Sequence, residues 1–258
     1  MSRILLELSY VGTAYHGWQV QKNAASVQKT VQNALCELCG APITLTGCSR
    51  TDTGVHARTY FALAEGDIPS GLLSARMVNA VNVILPDDIS AKRVYFVDDD
   101  FHPRYSVVSK EYEYIFSDGG FPDPFLASRA YRSTKKLDED LMNEAAKQFI
   151  GTHDFTAFCA SGSKAAENMD VVRTVFDASV QRVGDTVSFR VRADGFLYNM
   201  VRIMAGTLIE VSLGKIQKDE ILKIIESKNR NSAGRTLPPD GLYLDIVEYR
   251  EGALEKIE

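Results

Sequence analysis

The stretch Gly47-Cys48-Ser49-Arg50-Thr51-Asp52-Thr53-Gly54-Val55-His56-Ala57 places an arginine, a carboxylate and two hydroxyls within four consecutive residues. An ionised Asp52 could act as a nucleophile, provided its charge survives the exclusion of water from a closed site. A fixed cation beside it would keep it ionised, and Arg50 stands only two residues away. The plainer explanation is also open. Asp and Thr cap turns, and Arg50 could simply neutralise Asp52 at a surface.

Two further residues carry chemistry. Arg202 lies in Asn199-Met200-Val201-Arg202-Ile203-Met204-Ala205-Gly206-Thr207-Leu208-Ile209, a stretch too apolar for a solvated helix face. An arginine there must find a carboxylate or carbonyls, because a buried unpaired charge is costly. Glu210 or a nearby carbonyl is the local candidate. Tyr112 and Tyr114, at i and i+2 of a strand pattern, share one face. Core packing is the plain reading of such a pair, and it is preferred for Tyr114. The four histidines, His16, His56, His102 and His153, form no metal-ligand cluster, so no metal is expected. For His56, a turn-stabilising hydrogen bond is favoured over proton transfer. Lys22, Arg58, Arg104, Lys110 and Arg173 are candidate phosphate contacts, or ordinary surface charges.

The reactive loop needs a rigid frame, and strands flank it. Arg3 to Tyr10, Ile43 to Thr46, Thr59 to Leu63, Ile89 to Val97, Lys110 to Ser117 and Leu242 to Tyr249 read as strands. Thr174 to Val183 and Thr186 to Ala193 form a hairpin across Gly184-Asp185. Ser26 caps a helix with the stripe Val27, Val31, Leu35 and Leu38, closed by Gly40. Further helices are predicted over Ser70 to Val81, Leu137 to Ile150, Phe196 to Val211 and Lys218 to Ser227. Strands and helices without strict βαβ alternation predict an α+β fold, helices packed on a largely antiparallel sheet. The segment Phe101 to Tyr105 suggests a boundary, giving two halves: 1–104 with the Asp52 loop, and 105–258 with Tyr112 and Arg202.

With 258 residues, 45% hydrophobic and 24% charged, the chain has apolar material for a core without staples. No run reaches membrane-helix length, and the first residues lack a signal-peptide layout, so a cytoplasmic protein is expected. Cys36 and Cys39 form a C-x-x-C pair late in a helical pattern, with no second pair to complete a zinc site; buried structural cysteines are expected. A net charge of −5 counts against a nucleic-acid partner. The field of one cleft decides docking, however, and a total cannot exclude it.

The segment Ser49-Arg50-Thr51-Asp52-Thr53-Gly54-Val55-His56-Ala57 resembles the G-R-T-D-x-G-V-H-A signature of the TruA family of pseudouridine synthases, with Ser49 where glycine is frequent. Tyr15-His16-Gly17-Trp18-Gln19, Ser26-Val27-Gln28, Phe101 to Ser106, Lys110 to Tyr114, Gly151 to Phe158, Asn199 to Arg202 and Gly241 to Leu244 also follow that family's order. The resemblance implies the pseudouridine synthase fold, two similar halves flanking a central cleft. It implies an isomerase acting as a homodimer on uridines 38, 39 and 40 of the tRNA anticodon stem-loop, without a cofactor. Asp52 would be the nucleophile, at uracil C6 or ribose C1′. Arg202 would contact Asp52, Arg50 would hold the extruded nucleotide, and Tyr112 would stack on the target base and could move the C5 proton.

Two other classes are open. A non-catalytic RNA-binding module would gain nothing from a carboxylate beside phosphates. A hydrolase using Asp52 with His56 or His153 would need a second catalytic acid or a metal constellation, and the sequence offers no convincing one.

Overall fold

The computed structural model describes residues 2–73, 76–160 and 170–257. The chain forms two compact units, one of 1–108 with 243–258 and the other of 109–242.

In the first unit, β1 (Ser2–Tyr10) is central because Ile4, Leu5, Leu6 and Leu8 are all fully buried. A strand apolar on both faces belongs between neighbours. It pairs antiparallel with β3 (His56–Gly66) on one side and β4 (Ile89–Phe96) on the other. The other edge of β3 is shared by β2 (Ile43–Gly47), antiparallel, and β10 (Leu242–Tyr249), parallel through Tyr243–His56 and Leu244–Ala57. Short β11 (Glu255–Lys256) closes the far edge on β4. Helix α1 (Val27–Cys39) begins at Ser26, whose hydroxyl accepts from the Lys29 N–H. It ends where Gly40 turns left-handed at φ 65°. Its buried stripe of Val27, Val31, Ala34 and Leu35 packs on β2 and α2 (Arg76–Ile84).

The expected helix over Ser70 to Val81 differs: a 3₁₀ turn spans Ser70–Leu72, Leu73 leaves helical geometry at ψ 61°, and residues 74–75 lie outside the described residues. The helix proper runs on to Ile84 and stops two residues before Pro86. Strand β10, expected in the second half from its place in the sequence, falls from Tyr243 onward in the first unit, where it pairs with β3.

The second unit is an antiparallel run of β5 (Val107–Ser117), β9 (Thr186–Ala193), β8 (Val172–Val183) and β7 (Gly151–Asp154), with β6 (Tyr131–Arg132) parallel to β5. Helix α3 (Glu139–Ala146) is capped by Asp138 and packs on β8 and on α4 (Met200–Ser212); α5 (Ile221–Ser227) packs against β7. Both α3 and α4 are shorter than expected. After Ala146 a 3₁₀ turn tightens the chain toward β7, and Asn199, at φ 60°, prevents α4 from starting at Phe196.

The fully buried Asp118 carboxylate accepts two bonds of 2.8 Å from Arg182, one of 2.8 Å from the Leu137 N–H and one of 3.3 Å from Lys136. Burial by itself would raise that carboxyl, but these donors outweigh it and hold the group down at about 2.

Candidate active-site loop and cleft

The loop from Gly47 to Val55 joins β2 to β3, and a second loop, Val11 to Trp18, clamps it. The Trp18 N–H donates to the Thr51 carbonyl (3.2 Å), and the Gly54 N–H donates to the Tyr15 carbonyl (3.2 Å). The Thr51 hydroxyl and Tyr10 phenol share a buried 2.8 Å bond. Within the loop the Val55 N–H donates to the Asp52 carbonyl at 3.1 Å, which closes a turn with Asp52 at its start. Asp52 is half-buried and Arg50 exposed.

The clamp is tight enough to demand glycine at two points. A Cβ on Gly12 would come within 2.0 Å of the Val55 carbonyl oxygen. One on Gly17, whose φ is +83°, would come within 2.3 Å of the Thr51 oxygen. The clamping loop is itself tied down: the Val11 N–H donates to the Asp88 carbonyl (2.8 Å) and the Tyr15 phenol to the Asp88 carboxylate (2.7 Å). Burial and that carboxylate both push the Tyr15 phenol up, keeping it a donor.

Behind the loop, the Tyr60 phenol donates to the Ser49 carbonyl, and its ring stacks on Trp18 at 4.1 Å. His56, 1% exposed, accepts the Gly12 N–H at Nδ1 (3.0 Å) and stacks on Tyr243 at 4.7 Å. That is a structural role, the one favoured from sequence. Arg58 lies 4.5 Å from the Tyr243 ring centroid and 3.0 Å from Asp245. It is engaged within the fold. Arg173 likewise lies 3.9 Å from Asp170, whereas Lys22 and Arg104 are exposed.

An open cleft of about 280 Å³ adjoins this loop. Its lining includes Trp18, Gln28 and Gly47, Ser49 and Arg50 from the loop, and His102, Arg104 and Tyr105. Asp52 is not among the lining residues, and no carboxylate lines the cleft. The overall charge of −5 therefore hides a cationic concavity. The composition of 101–105 suggests a hinge-like boundary. The structure instead fixes it: Arg3 donates to the Phe101 carbonyl (2.9 Å), Tyr249 to that of Pro103 (2.7 Å), and Ser106 N–H to that of His102 (2.9 Å).

The remaining predicted residues belong to the second unit. Arg202 is half-buried near the start of α4; its Nε donates to the Leu237 carbonyl (2.7 Å) and a terminal nitrogen to Asn199 Oδ1 (2.6 Å). The left-handed backbone of Asn199 is a strained conformation that holds its amide at that arginine. Glu210, the local alternative partner, bonds Lys215 at 2.6 Å. Tyr112 is 7% exposed, with Phe196 edge-on at 5.0 Å. Tyr114 is fully buried and donates to the Pro238 carbonyl (2.7 Å). Burial pushes its phenol up, while the Arg202 charge works in the opposite direction. Of the cysteines, Cys48 and Cys159 are buried, but Cys36 and Cys39 are only half-buried, contrary to expectation. Cys36 Sγ accepts the Ile43 N–H at 3.2 Å, which keeps it at the helix–strand seam. Among the described residues no group of three or more His, Cys, Asp or Glu could hold a metal ion, and no helix is long and apolar enough to cross a membrane.

The local geometry thus offers a carboxylate at a clamped turn, a guanidinium two residues before it, and a cleft open to an anionic, planar ligand. Comparison with known proteins agrees with that chemistry. A family profile described as tRNA pseudouridine synthase matches residues 145–250. The tRNA pseudouridine synthase A of Acetivibrio thermocellus is 48% identical over 249 residues, covering 96% of this chain and 100% of the relative. The proteins of the same name from Thermoanaerobacter sp. (strain X514) and Bacillus subtilis are 42% and 41% identical, each covering 96% of this chain and 100% and 99% of the relative. With relatives this similar along nearly its whole length, the chain belongs to the TruA family of tRNA pseudouridine synthases.

Proposed function

We propose that the protein isomerises uridine to pseudouridine in tRNA, and that its targets are positions 38, 39 and 40 of the anticodon stem-loop. Family membership supports the reaction. The observation that carries the site assignment is the clamped turn, which fixes the backbone around Asp52 beside a cleft without carboxylates.

The reaction breaks the bond from ribose C1′ to uracil N1 and makes one from C1′ to C5. The C5 proton leaves and N1 gains one, so atoms balance within the nucleotide and no cofactor is called for. Asp52 acts as the nucleophile, at C6 of the ring or at C1′ of the sugar. Arg202 pairs with its carboxylate and keeps it ionised, offsetting desolvation. Arg50, exposed beside the turn, holds the nucleotide flipped out of the stem. Tyr112 stacks on the detached base and takes part in moving the C5 proton; its placement on β5 suits a platform. The enzyme works as a cytoplasmic homodimer.

The test uses tRNA transcripts tritiated at uridine C5, where each turnover releases tritium to water. Asp52→Ala abolishes release while the protein stays folded and binds tRNA. Retained turnover in that variant would remove Asp52 from the reaction. Sequencing the modified positions then checks 38–40 independently.

A further inference from the structure

We infer that the cleft beside the catalytic loop is a subsite for a nucleotide flanking the target uridine, its base stacked on Tyr105 and its phosphate held by Arg104. This rests on the proposed action on RNA and adds a second contact point to it.

Four observations carry the inference. Tyr105 is 78% exposed, and it is among the residues that line the cleft. Its ring lies 4.4 Å from that of His102 at a 35° tilt, and the Arg104 guanidinium lies 6.0 Å from the ring centroid, so the ring and the cation form one contact point. The turn beneath it is rigid: His102 Nδ1 accepts the N–H of both Arg104 (3.1 Å) and Tyr105 (3.3 Å), and the His102 N–H donates to the Ser106 hydroxyl (3.1 Å). Arg104 is exposed, and among the described residues no carboxylate lies within ion-pair distance of it or of Arg50 across the cleft. Two unneutralised guanidiniums facing one concavity are stabilised by an anion between them.

The chemistry fits a single-stranded nucleotide better than a duplex. Aromatic stacking needs an unstacked base, which single-stranded loops supply. Gln28 contributes to the shape, not to recognition. Its amide donates to the Leu45 carbonyl (2.8 Å) and accepts the Val20 N–H (3.0 Å), so it is already engaged. Ser49 and Arg50 sit within three residues of Asp52, which makes the occupant a close neighbour of the reacting nucleotide.

The experiment measures Kd for an unmodified tRNA transcript across a salt series. Tyr105→Ala weakens binding between about 5- and 150-fold, and Tyr105→Phe retains most of the affinity, since stacking needs the ring and not the hydroxyl. Arg104→Gln lowers the slope of log K against log salt by about 0.7, the signature of one lost phosphate contact, whereas Tyr105→Ala leaves that slope unchanged. Wild-type affinity in Tyr105→Ala, or an unaltered slope in Arg104→Gln, overturns the subsite. Tyr105 is too exposed for its removal to unfold the protein, and a thermal melt verifies this. Failure of the wild-type protein to release tritium from tRNA would instead sink the proposed reaction, so the two failures are distinguishable.

Discussion

The clamp around the Asp52 turn makes Gly17→Ala a demanding test of the proposed site. The new Cβ would stand 2.3 Å from the Thr51 oxygen, about 1 Å short of ordinary contact, so one of the two loops must retreat by that distance. The obstacle is backbone on both sides, which leaves no side chain to rotate away. Alanine at φ +83° adds strain of about 1–2 kcal/mol. Retreat of the Thr51 segment moves Asp52, the next residue, and breaks the bond from the Trp18 N–H. A displacement of about 1 Å in a reacting group costs about 100-fold in rate, equivalent to roughly 2.7 kcal/mol of barrier. Single-turnover tritium release at saturating tRNA should therefore fall about 100-fold. Urea unfolding should show a loss of a few kcal/mol, of the kind expected when alanine replaces a positive-φ glycine. A folded Gly17→Ala protein that turns over within threefold of wild type would refute the claim that the clamp positions Asp52.

Two other perturbations test the second unit. Because the folded-state Asp118 value of about 2 lies below that of an unfolded aspartate, its stabilisation of roughly 2 kcal/mol is complete above pH ~4 and is lost as pH falls through about 2. The stability gap between wild type and Asp118→Asn should accordingly narrow over that range in urea titrations, and a pH-independent gap would contradict the pairing with Arg182. Tyr114→Phe removes the phenol's bond to the Pro238 carbonyl, which lies on an exposed residue, and should cost about 0.5–1.5 kcal/mol by denaturant midpoint; an unchanged midpoint would contradict a stabilising role for that bond.

Local signals carried much of the architecture. Ser26 and Gly40 mark α1 at both ends because a hydroxyl cap and a left-handed terminus are chemistry that the residue type declares. Gly184-Asp185 marked the β8–β9 hairpin in the same way. Boundaries failed where burial replaced periodicity. The apolar run from Phe196 gives no sign that Asn199 is left-handed, and β3 extends three residues beyond Leu63 because its far end lies between β1 and β2. The signature loop around Asp52 was legible as a string. The clamp that shapes it was not, since the bonds from Tyr15 and Trp18 join segments far apart in sequence. Likewise the 101–105 segment read as a hinge because Pro103 and polar neighbours dominate its composition. Its anchors, Arg3 and Tyr249, come from opposite ends of the chain.

The return of β10 to β3 has a consequence for biosynthesis. The first unit is discontinuous, so the ribosome must make all of 109–242 before Tyr243 emerges. At about 5–20 residues per second, that delay is on the order of ten seconds. During it the His56–Ala57 end of β3 presents an unpaired edge, and His56 and Arg58 lack the Tyr243 ring that lies against both. The nascent chain thus carries its signature loop early, but the start of the strand that follows the loop stays unpaired on that edge until β10 arrives.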